Sequence, residues 1–260
     1  RSTPLYSSAA SDVYKRQQCE VMNKALLEKI LEYKKNKYSF CLVSQVESSD
    51  TEIITSKQIE SHKFSQLIEK AIKKDKLILE MIEGKEWIFN PFNPPAKLII
   101  VGAVHVAQSL AKIAENLDFE VTIIDPREAF ASHERFPNNN VICAWPEDAL
   151  KEINLDSRTA VVTLTHEPSL DDIALKNSLN SDCFYIGALG SKKTHQKRID
   201  RFIKDGIEKK SLKRINGPIG LPINAQNPSE IAISIIAEII SSLRYQKHVI
   251  EELRENWKNR

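Results

Sequence analysis

Short apolar runs alternate with helical segments through the second part of the chain. Five runs predict strands, namely KLIIV (97–101), EVTIID (120–125), NVICA (140–144), TAVVTLT (159–165) and CFYIGAL (183–189). Helical patterns lie between and after them, at 104–117, in PEDALKEI, in SLDDIALKNSLN and at 191–205. Apolar strands that alternate with helices are typical of a parallel sheet covered on both faces. The pattern predicts an α/β fold, a Rossmann-like doubly wound parallel sheet, over residues 96–246.

A smaller, degenerate N-terminal α+β domain is predicted over residues 22–90. A helix after Met22 has apolar residues on one face, and FCLVSQV (40–46) predicts a strand. A second helix is expected over 56–76, followed by a hairpin around Gly84. The prolines of PFNPP, residues 91–95, can neither continue a helix nor donate to a sheet. They mark the predicted domain boundary.

The two ends of the chain carry no pattern that predicts a folded element. Residues 1–17, RSTPLYSSAASDVYKRQ, have no apolar periodicity, and we expect a non-native leader with Met22 as the natural start. Residues 247–260 are expected to form a charged C-terminal tail.

The last predicted helix lies in NPSEIAISIIAEIISSLR. Asn227 at the N-cap, Pro228 at the first position and Glu230 at the third make a favourable helix start. Polar residues recur at helical spacing on one face, namely Glu230, Ser234, Glu238 and Ser241. We expect this stripe to face solvent; the alternative is that it faces a dimer or client surface.

Composition excludes several classes of protein. The 37 basic and 35 acidic residues leave a net charge of +2, which favours neither nucleic acid nor a membrane surface as a partner. The longest apolar run, IAISIIAEII, is shorter than the roughly 18 residues of a membrane span. The four cysteines show no metal-ligand spacing, and Cys41 and Cys143 are expected to be buried. A reducing, cytoplasmic location fits best, and no metal site is predicted.

The turn after the first strand, VGAVHVA, resembles half of a dinucleotide-binding fingerprint. Gly102 supplies the tight turn, and Ala107 is accepted at the third glycine position. Val104 occupies the second position, where glycine lets the backbone approach a pyrophosphate. Asp125 ends the second strand, where a ribose-binding carboxylate belongs. The turn therefore predicts the scaffold but argues against NAD(P) binding.

Two interpretations of this turn remain open. Val104 could pack against its neighbours in a domain that binds nothing here, since a fold alone does not specify function. His105 could donate to a phosphate or keto oxygen from the first helical turn, or it could point into solvent.

Five blocks resemble the C-terminal domain of the XdhC/CoxI family of xanthine dehydrogenase accessory proteins. They are VGAVHVAQSLA, VTIIDPREAFA with ERFP, VVTLTHEPSLDDIAL, YIGALGSKKTHQKRI and PIGLPINAQNPSEIAISIIAEII, and they span roughly residues 96–245. The family's T-H-D-x-x-x-D-like block corresponds to Thr165, His166, Glu167 and Asp171. Two features depart from the family: Val104, and the N-terminal part, which lacks a G-S-x-P-R-like segment.

The resemblance implies a maturation factor that binds molybdenum cofactor (molybdopterin) and assists its insertion into a molybdenum hydroxylase such as xanthine dehydrogenase. Pterin phosphates are anions, which helix N-termini at the carboxyl edge of a sheet attract. No catalytic residue is implied. The expected cofactor-binding residues are Gly102, Ala103, His105, Val106, Asp125, Arg127, Thr165, His166, Gly187, Gly190 and Ser191. Whether the protein forms a homodimer is left open.

Some roles at this edge have competing explanations. The Gly187–Ser191 turn, with Lys192, Lys193 and Lys197 after it, predicts anion binding or a glycine-permitted loop with solvated lysines. His166 is a cleft residue or a satisfied histidine at the end of a strand. Two other functions also stay open: a nicotinamide-dependent oxidoreductase, and a ligand-free interaction module.

Overall fold

The computed structural model describes residues 24–48 and 50–244. Its chain divides into two compact units between Pro94 and Pro95. The expected leader (1–17), Met22 and the expected tail (247–260) lie outside the described residues, so those expectations stay predictions. The two units are described separately.

The described residues of the N-terminal unit form a four-stranded antiparallel sheet with two α-helices. The sheet order is β2-β1-β4-β3. The elements are α1 (Lys24–Lys35), β1 (Phe40–Gln45), β2 (Thr51–Thr55), α2 (Ser65–Lys74), β3 (Ile78–Ile82) and β4 (Lys85–Phe92). The combination of helices and antiparallel strands agrees with the predicted α+β class, and the hairpin lies at Gly84 as predicted.

Two details of this unit differ from the expectation. The segment TEIIT, for which no element was predicted, forms strand β2, which pairs with β1. The second helix begins at Ser65 rather than at residue 56. Phe64 lies just before the helix, and its ring packs edge-on against Trp87 and Phe89, with ring centroids 4.8 and 5.5 Å away.

The C-terminal unit contains a six-stranded sheet in which every pair of neighbours is parallel. The strands are β5 (Lys97–Val101), β6 (Glu120–Ile124), β7 (Asn140–Ile142), β8 (Thr159–Thr163), β9 (Tyr185–Ala188) and β10 (Ile215–Asn216). Their order, β10-β9-β8-β5-β6-β7, is that of dinucleotide-binding folds. The predicted Rossmann-like sheet is confirmed. The order reverses between β5 and β8, which is where such folds open a crevice.

Helices cover both faces of this sheet. They are α3 (His105–Glu115), α4 (Pro146–Ala149), α5 (Pro168–Leu179), α6 (Lys192–Lys204), α7 (Lys209–Leu212) and α8 (Pro228–Arg244). Helices α3 and α8 pack on the face that carries Leu98 and Ile100. Helices α5 and α6 pack on the face that carries Ile99 and Val101. Among the described helices, none is long and apolar enough to cross a membrane.

The polar stripe of α8 does not face solvent, so that prediction is wrong. Ser234 and Glu238 are buried. Glu238 Oε2 accepts hydrogen bonds from the Tyr185 hydroxyl (2.5 Å) and from the Gly220 N–H (2.7 Å). The stripe is turned inward because Glu238 satisfies polar groups of β9 and of the segment before α8. At the start of α8 the predicted cap is confirmed, since Asn227 Oδ1 accepts from the Glu230 N–H at 2.9 Å.

The prediction for the cysteines is half right. Cys41 is fully buried in β1, and burial raises the pKa of its thiol to about 12. Cys143 is exposed, contrary to expectation, because β7 ends at Ile142 and leaves the next residue outside the sheet.

Replacing Glu238 tests its buried role. We expect Glu238→Ala to lower the free energy of unfolding by about 2–4 kcal/mol, because Tyr185 and Gly220 both lose a buried hydrogen-bond acceptor. Ser241→Ala, a partly exposed position of the same stripe, should change it by less than about 0.5 kcal/mol. Urea unfolding measures both, and equal effects would contradict the inward orientation of Glu238.

Candidate functional site

Gly102 and Thr165 meet at the point where the strand order reverses. Gly102 has φ +105°, and a Cβ atom built on it would lie 2.5 Å from Thr165 Cγ2 and 3.1 Å from the Thr165 nitrogen. Only glycine fits both this backbone conformation and this contact. The tight turn predicted from sequence is therefore present, and the loop that follows β8 packs directly against it.

Asp125 is fully buried beside this turn. Its Oδ2 accepts from the Ala103 N–H (2.8 Å) and from Arg127 Nη2 (2.7 Å), and its Oδ1 accepts from Arg127 Nε and N–H. Burial by itself raises the pKa of Asp125, but these hydrogen bonds together hold it below its ordinary value. The four bonds fill the acceptor capacity of a carboxylate. Asp125 thus organises the turn from within.

A second arginine, Arg135, contacts the same turn. Its Nη1 donates to the carbonyl oxygens of Ala103 (2.7 Å) and Phe130 (2.8 Å), and its Nη2 donates to Gln108 Oε1 (3.0 Å). These three acceptors are neutral, so the hydrogen bonds do not cancel the charge of Arg135. The Phe130 ring lies under both arginines, 4.3 Å from Arg127 Cζ and 5.4 Å from Arg135 Cζ. Two guanidinium groups therefore flank Ala103.

Helix α3 begins directly after this turn and has no side-chain cap. Val104 is its N-cap residue, with extended backbone, and its side chain packs partly against the core. No acidic residue lies in the first turn. His105 is exposed and Val106 is buried. The positive end of α3 is therefore free to receive an anion through its backbone N–H groups.

The loop after β8 is held from below by Asp171. Its Oδ1 accepts from Thr165 Oγ1 at 2.6 Å, and Thr165 Oγ1 accepts in turn from the Glu167 N–H at 3.0 Å. Burial raises the pKa of Asp171 despite the hydrogen bond from Thr165. Between these anchors His166 is exposed and has φ +66°. This left-handed conformation is unfavourable for a side chain other than glycine, and it projects His166 at the edge.

The Gly187–Ser191 segment is less suited to bind an anion than the turn before α3. Gly187 is buried inside β9, where a Cβ would clash with Ile219. Gly190 has φ +140°, and Ser191 Oγ accepts from the Thr194 N–H at 3.1 Å. The start of α6 is therefore already capped. The three lysines that follow, Lys192, Lys193 and Lys197, are all exposed.

The carboxyl edge brings together most of the residues proposed from sequence. Gly102, Ala103, Asp125 and Arg127 form one network. That network reaches the loop after β8 through Arg127 Nη1, which lies 3.9 Å from Glu167 Oε1. Sequence reasoning missed Arg135, although it lies in ERFP, part of a block that resembles the family. No group of three or more residues suited to hold a metal occurs within 24–48 and 50–244.

The strand order and the glycine turn define a Rossmann-type α/β domain. Residues 98–239 match the family model of the XdhC Rossmann domain. The chain therefore belongs to the XdhC family, and the resemblance predicted from the sequence is confirmed.

Two curated relatives are similar to the second part of this chain. A probable xanthine dehydrogenase subunit of Bacillus subtilis is 33% identical over 150 residues, which cover 57% of this chain and 43% of that protein. The molybdenum cofactor insertion chaperone PaoD of Escherichia coli is 27% identical over 156 residues, 60% of this chain and 43% of PaoD. The matched region thus spans less than half the length of each relative.

A solved structure is similar over a larger part of the chain. The crystal structure of a xanthine dehydrogenase from Bacillus halodurans superposes with a TM-score of 0.67 at 26% identity. The match covers 87% of this chain and 70% of that one. The similarity in fold therefore extends beyond the Rossmann domain.

The contact between Gly102 and Thr165 can be tested by adding one methyl group. Gly102→Ala should lower the free energy of unfolding by about 2–5 kcal/mol, because a positive φ costs about 1–2 kcal/mol and overpacking about 1–3 kcal/mol more. Gly206→Ala, at φ +85° with nothing within 4 Å, should cost only the first part. Adding Thr165→Ser to Gly102→Ala removes Cγ2 and should restore part of the loss. Thermal unfolding of the four proteins decides, and equal losses for both glycines would refute the contact.

Proposed function

We propose that this chain is an accessory protein that holds molybdenum cofactor at the carboxyl edge of its parallel sheet and hands it to a molybdenum hydroxylase. The cofactor is its cargo. Membership of the XdhC family and similarity to a protein named as a molybdenum cofactor insertion chaperone support this role. A reducing, cytoplasmic location would suit such a role.

The observation that carries the proposal is the uncapped start of α3 between two arginines. Val104 supplies no capping side chain, and Ala103 just before it contacts Arg135 directly and Arg127 through Asp125. Backbone N–H groups and guanidinium groups are the donors that bind phosphate oxygens. Of the other long helices that begin at this edge, α6 and α8 are capped by Ser191 and Asn227. Helix α5 also lacks a side-chain cap, but the carboxylate of Asp171 lies in its first turn and would repel an anion.

These residues fit the phosphate of a pterin cargo. The charge of Arg135 is opposed by neutral oxygens only, so a phosphate would be its natural counter-ion. Thr165 and His166 lie on the neighbouring loop, which follows β8. The pterin part of the cargo would lie along this loop while its phosphate binds at α3. Asp125 and Gly102 would hold the turn in place rather than touch the cargo.

A nicotinamide-dependent oxidoreductase is less well supported. The carboxylate at the ribose position, Asp125, is fully buried and already accepts four hydrogen bonds. A ribose hydroxyl would have to displace Arg127 or the Ala103 N–H to bind there. We therefore expect weak or absent binding of NAD(P).

Co-purification tests the cargo directly. The protein, produced in cells that synthesise molybdenum cofactor, should carry near-equimolar molybdenum and pterin, measured by elemental analysis and by fluorescence of the oxidised pterin. Arg135→Gln should lose most of both, because it removes the cation beside α3. Lys192→Gln, an exposed cation at the capped start of α6, should retain them.

The same protein, titrated with NADH, separates the alternatives. Saturation at low micromolar concentration with no bound pterin would favour the oxidoreductase. Absence of both ligands would indicate an interaction module on a Rossmann scaffold, and the proposed function would then be abandoned.

His166 offers a test in which stability and function move in opposite directions. His166→Gly relieves a conformation that costs about 1–2 kcal/mol and adds backbone entropy of about 0.5–1 kcal/mol to the unfolded state. The variant should thus be as stable as the parent or up to about 1.5 kcal/mol more stable. It should retain less cofactor, since the imidazole at the edge is lost.

Asp118→Gly is the matched control for His166→Gly. Asp118 has a similar φ, +58°, but it lies before β6, at the opposite edge of the sheet. It should show the same change in stability with full cofactor retention. If His166→Gly also retains its cofactor, His166 has no part in holding the cargo.

A further inference from the structure

Two buried charges join α5 to α6 directly beneath the candidate site. Arg198 Nη2 lies 3.6 Å from Asp171 Oδ2, and both side chains are at most 3% exposed. Nearer the surface, Arg201 binds Asp172 with two hydrogen bonds of 2.8 and 2.9 Å. Arg198 Nε also lies 3.8 Å from Asp172 Oδ1, which is too far for a hydrogen bond, so the inner pair is less well satisfied. Within the described residues, Asp171 Oδ2 and Arg198 Nε and Nη1 have no hydrogen-bond partner.

Stability alone does not account for such a pair. Taking two charges out of water costs more than a distant contact returns, and apolar replacements of a buried pair are often neutral or stabilising. The pair does, however, connect two loops of the candidate site. Asp171 binds the hydroxyl and the N–H of Thr165, at 2.6 and 3.3 Å. Arg198 Nη2 donates to the Leu189 carbonyl at 3.2 Å.

We propose that Asp171 and Arg198 are positioning residues that fix the loop of residues 165–167 against the loop of residues 189–191. Neither side chain is exposed enough to touch cargo, so both act through the loops they hold. Thr165 packs on Gly102, which transmits the position of the first loop to the turn before α3. The inference rests on the proposed function insofar as the cargo binds at this edge.

The test removes both charges together. Asp171→Leu combined with Arg198→Met should change the melting temperature by only a few degrees. Affinity for molybdenum cofactor released from a molybdenum enzyme, followed by pterin fluorescence, should fall about tenfold or more, because misplaced binding groups lose affinity steeply. The control, Lys176→Gln with Asp205→Asn, breaks a 2.7 Å ion pair between α5 and the end of α6, away from the loops. It should bind like the parent.

A readout specific to positioning is the coupling to Thr165. In the parent, Thr165→Val should weaken binding, whereas in the Asp171→Leu, Arg198→Met protein it should add no further loss. Independent losses would overturn the proposal, since they would show that Asp171 does not act through Thr165. If the apolar double variant does not fold, Asp171→Asn keeps its shape and should still weaken binding. Parent-like affinity of that variant would also overturn it.

Hydrogen exchange separates this inference from the proposed function. Amides at 164–167 and 188–191 should exchange faster in the inner double variant and at the parent rate in the control. If the parent binds no cofactor, the proposed function fails, and exchange alone decides whether the pair holds the loops. Unchanged exchange in the inner variant would refute the positioning role.

Discussion

The buried carboxylate of Asp125 is the interaction on which the carboxyl edge depends. An ionised group without solvent contact needs hydrogen-bond donors, and here the donors are the Ala103 N–H and the Arg127 side chain and N–H. Ala103 is the residue before the cap of α3, so satisfying Asp125 also fixes where that helix begins. Two side-chain nitrogens of Arg127 donate to Asp125, so the guanidinium group of Arg127 is held in one orientation at this edge. In a dinucleotide-binding fold this position would serve the ligand; here it serves the protein.

The four long helices that begin at this edge differ in whether a side chain caps their first N–H groups. Helices α6 and α8 are capped by Ser191 and Asn227. Helix α5 has no side-chain cap, but it begins with Pro168, which has no N–H to satisfy, and it carries the acidic Asp171 in its first turn. Helix α3 uses no side chain, because Val104 is apolar. A helix start without a cap forgoes about 0.5–2 kcal/mol of stability. That deficit is offset when an external anion supplies the missing acceptor, which is the physical basis of the proposed cargo site.

Sequence pattern predicted the local features of the fold and of the site, but not the contacts between distant segments. Apolar runs located five of the six parallel strands and the turn at Gly102, whereas two-residue β10 is too short to show a period. The burial of Glu238 was missed because polar residues at helical spacing look the same whether they meet water or a buried tyrosine. Arg135 reaches back to Ala103 along an irregular loop. Arg198 directly follows Lys197 in the sequence, and only its burial distinguishes it from the exposed cations of α6.

Three unfavourable local features lie at or near the place where the strand order reverses. His166 has a left-handed backbone, the start of α3 lacks a cap, and the inner pair of α5 and α6 is incompletely hydrogen-bonded. Both faces of the sheet beneath are apolar and buried, and this burial offsets the unfavourable free energy of these features. Strain that the surrounding structure over-determines is characteristic of binding sites, because it keeps the contact groups in place before the ligand arrives. At the same edge Asp125 and Arg127 bind each other at the position that a ribose would need, so the proposed cargo would place its phosphate at α3 without a ribose beside it.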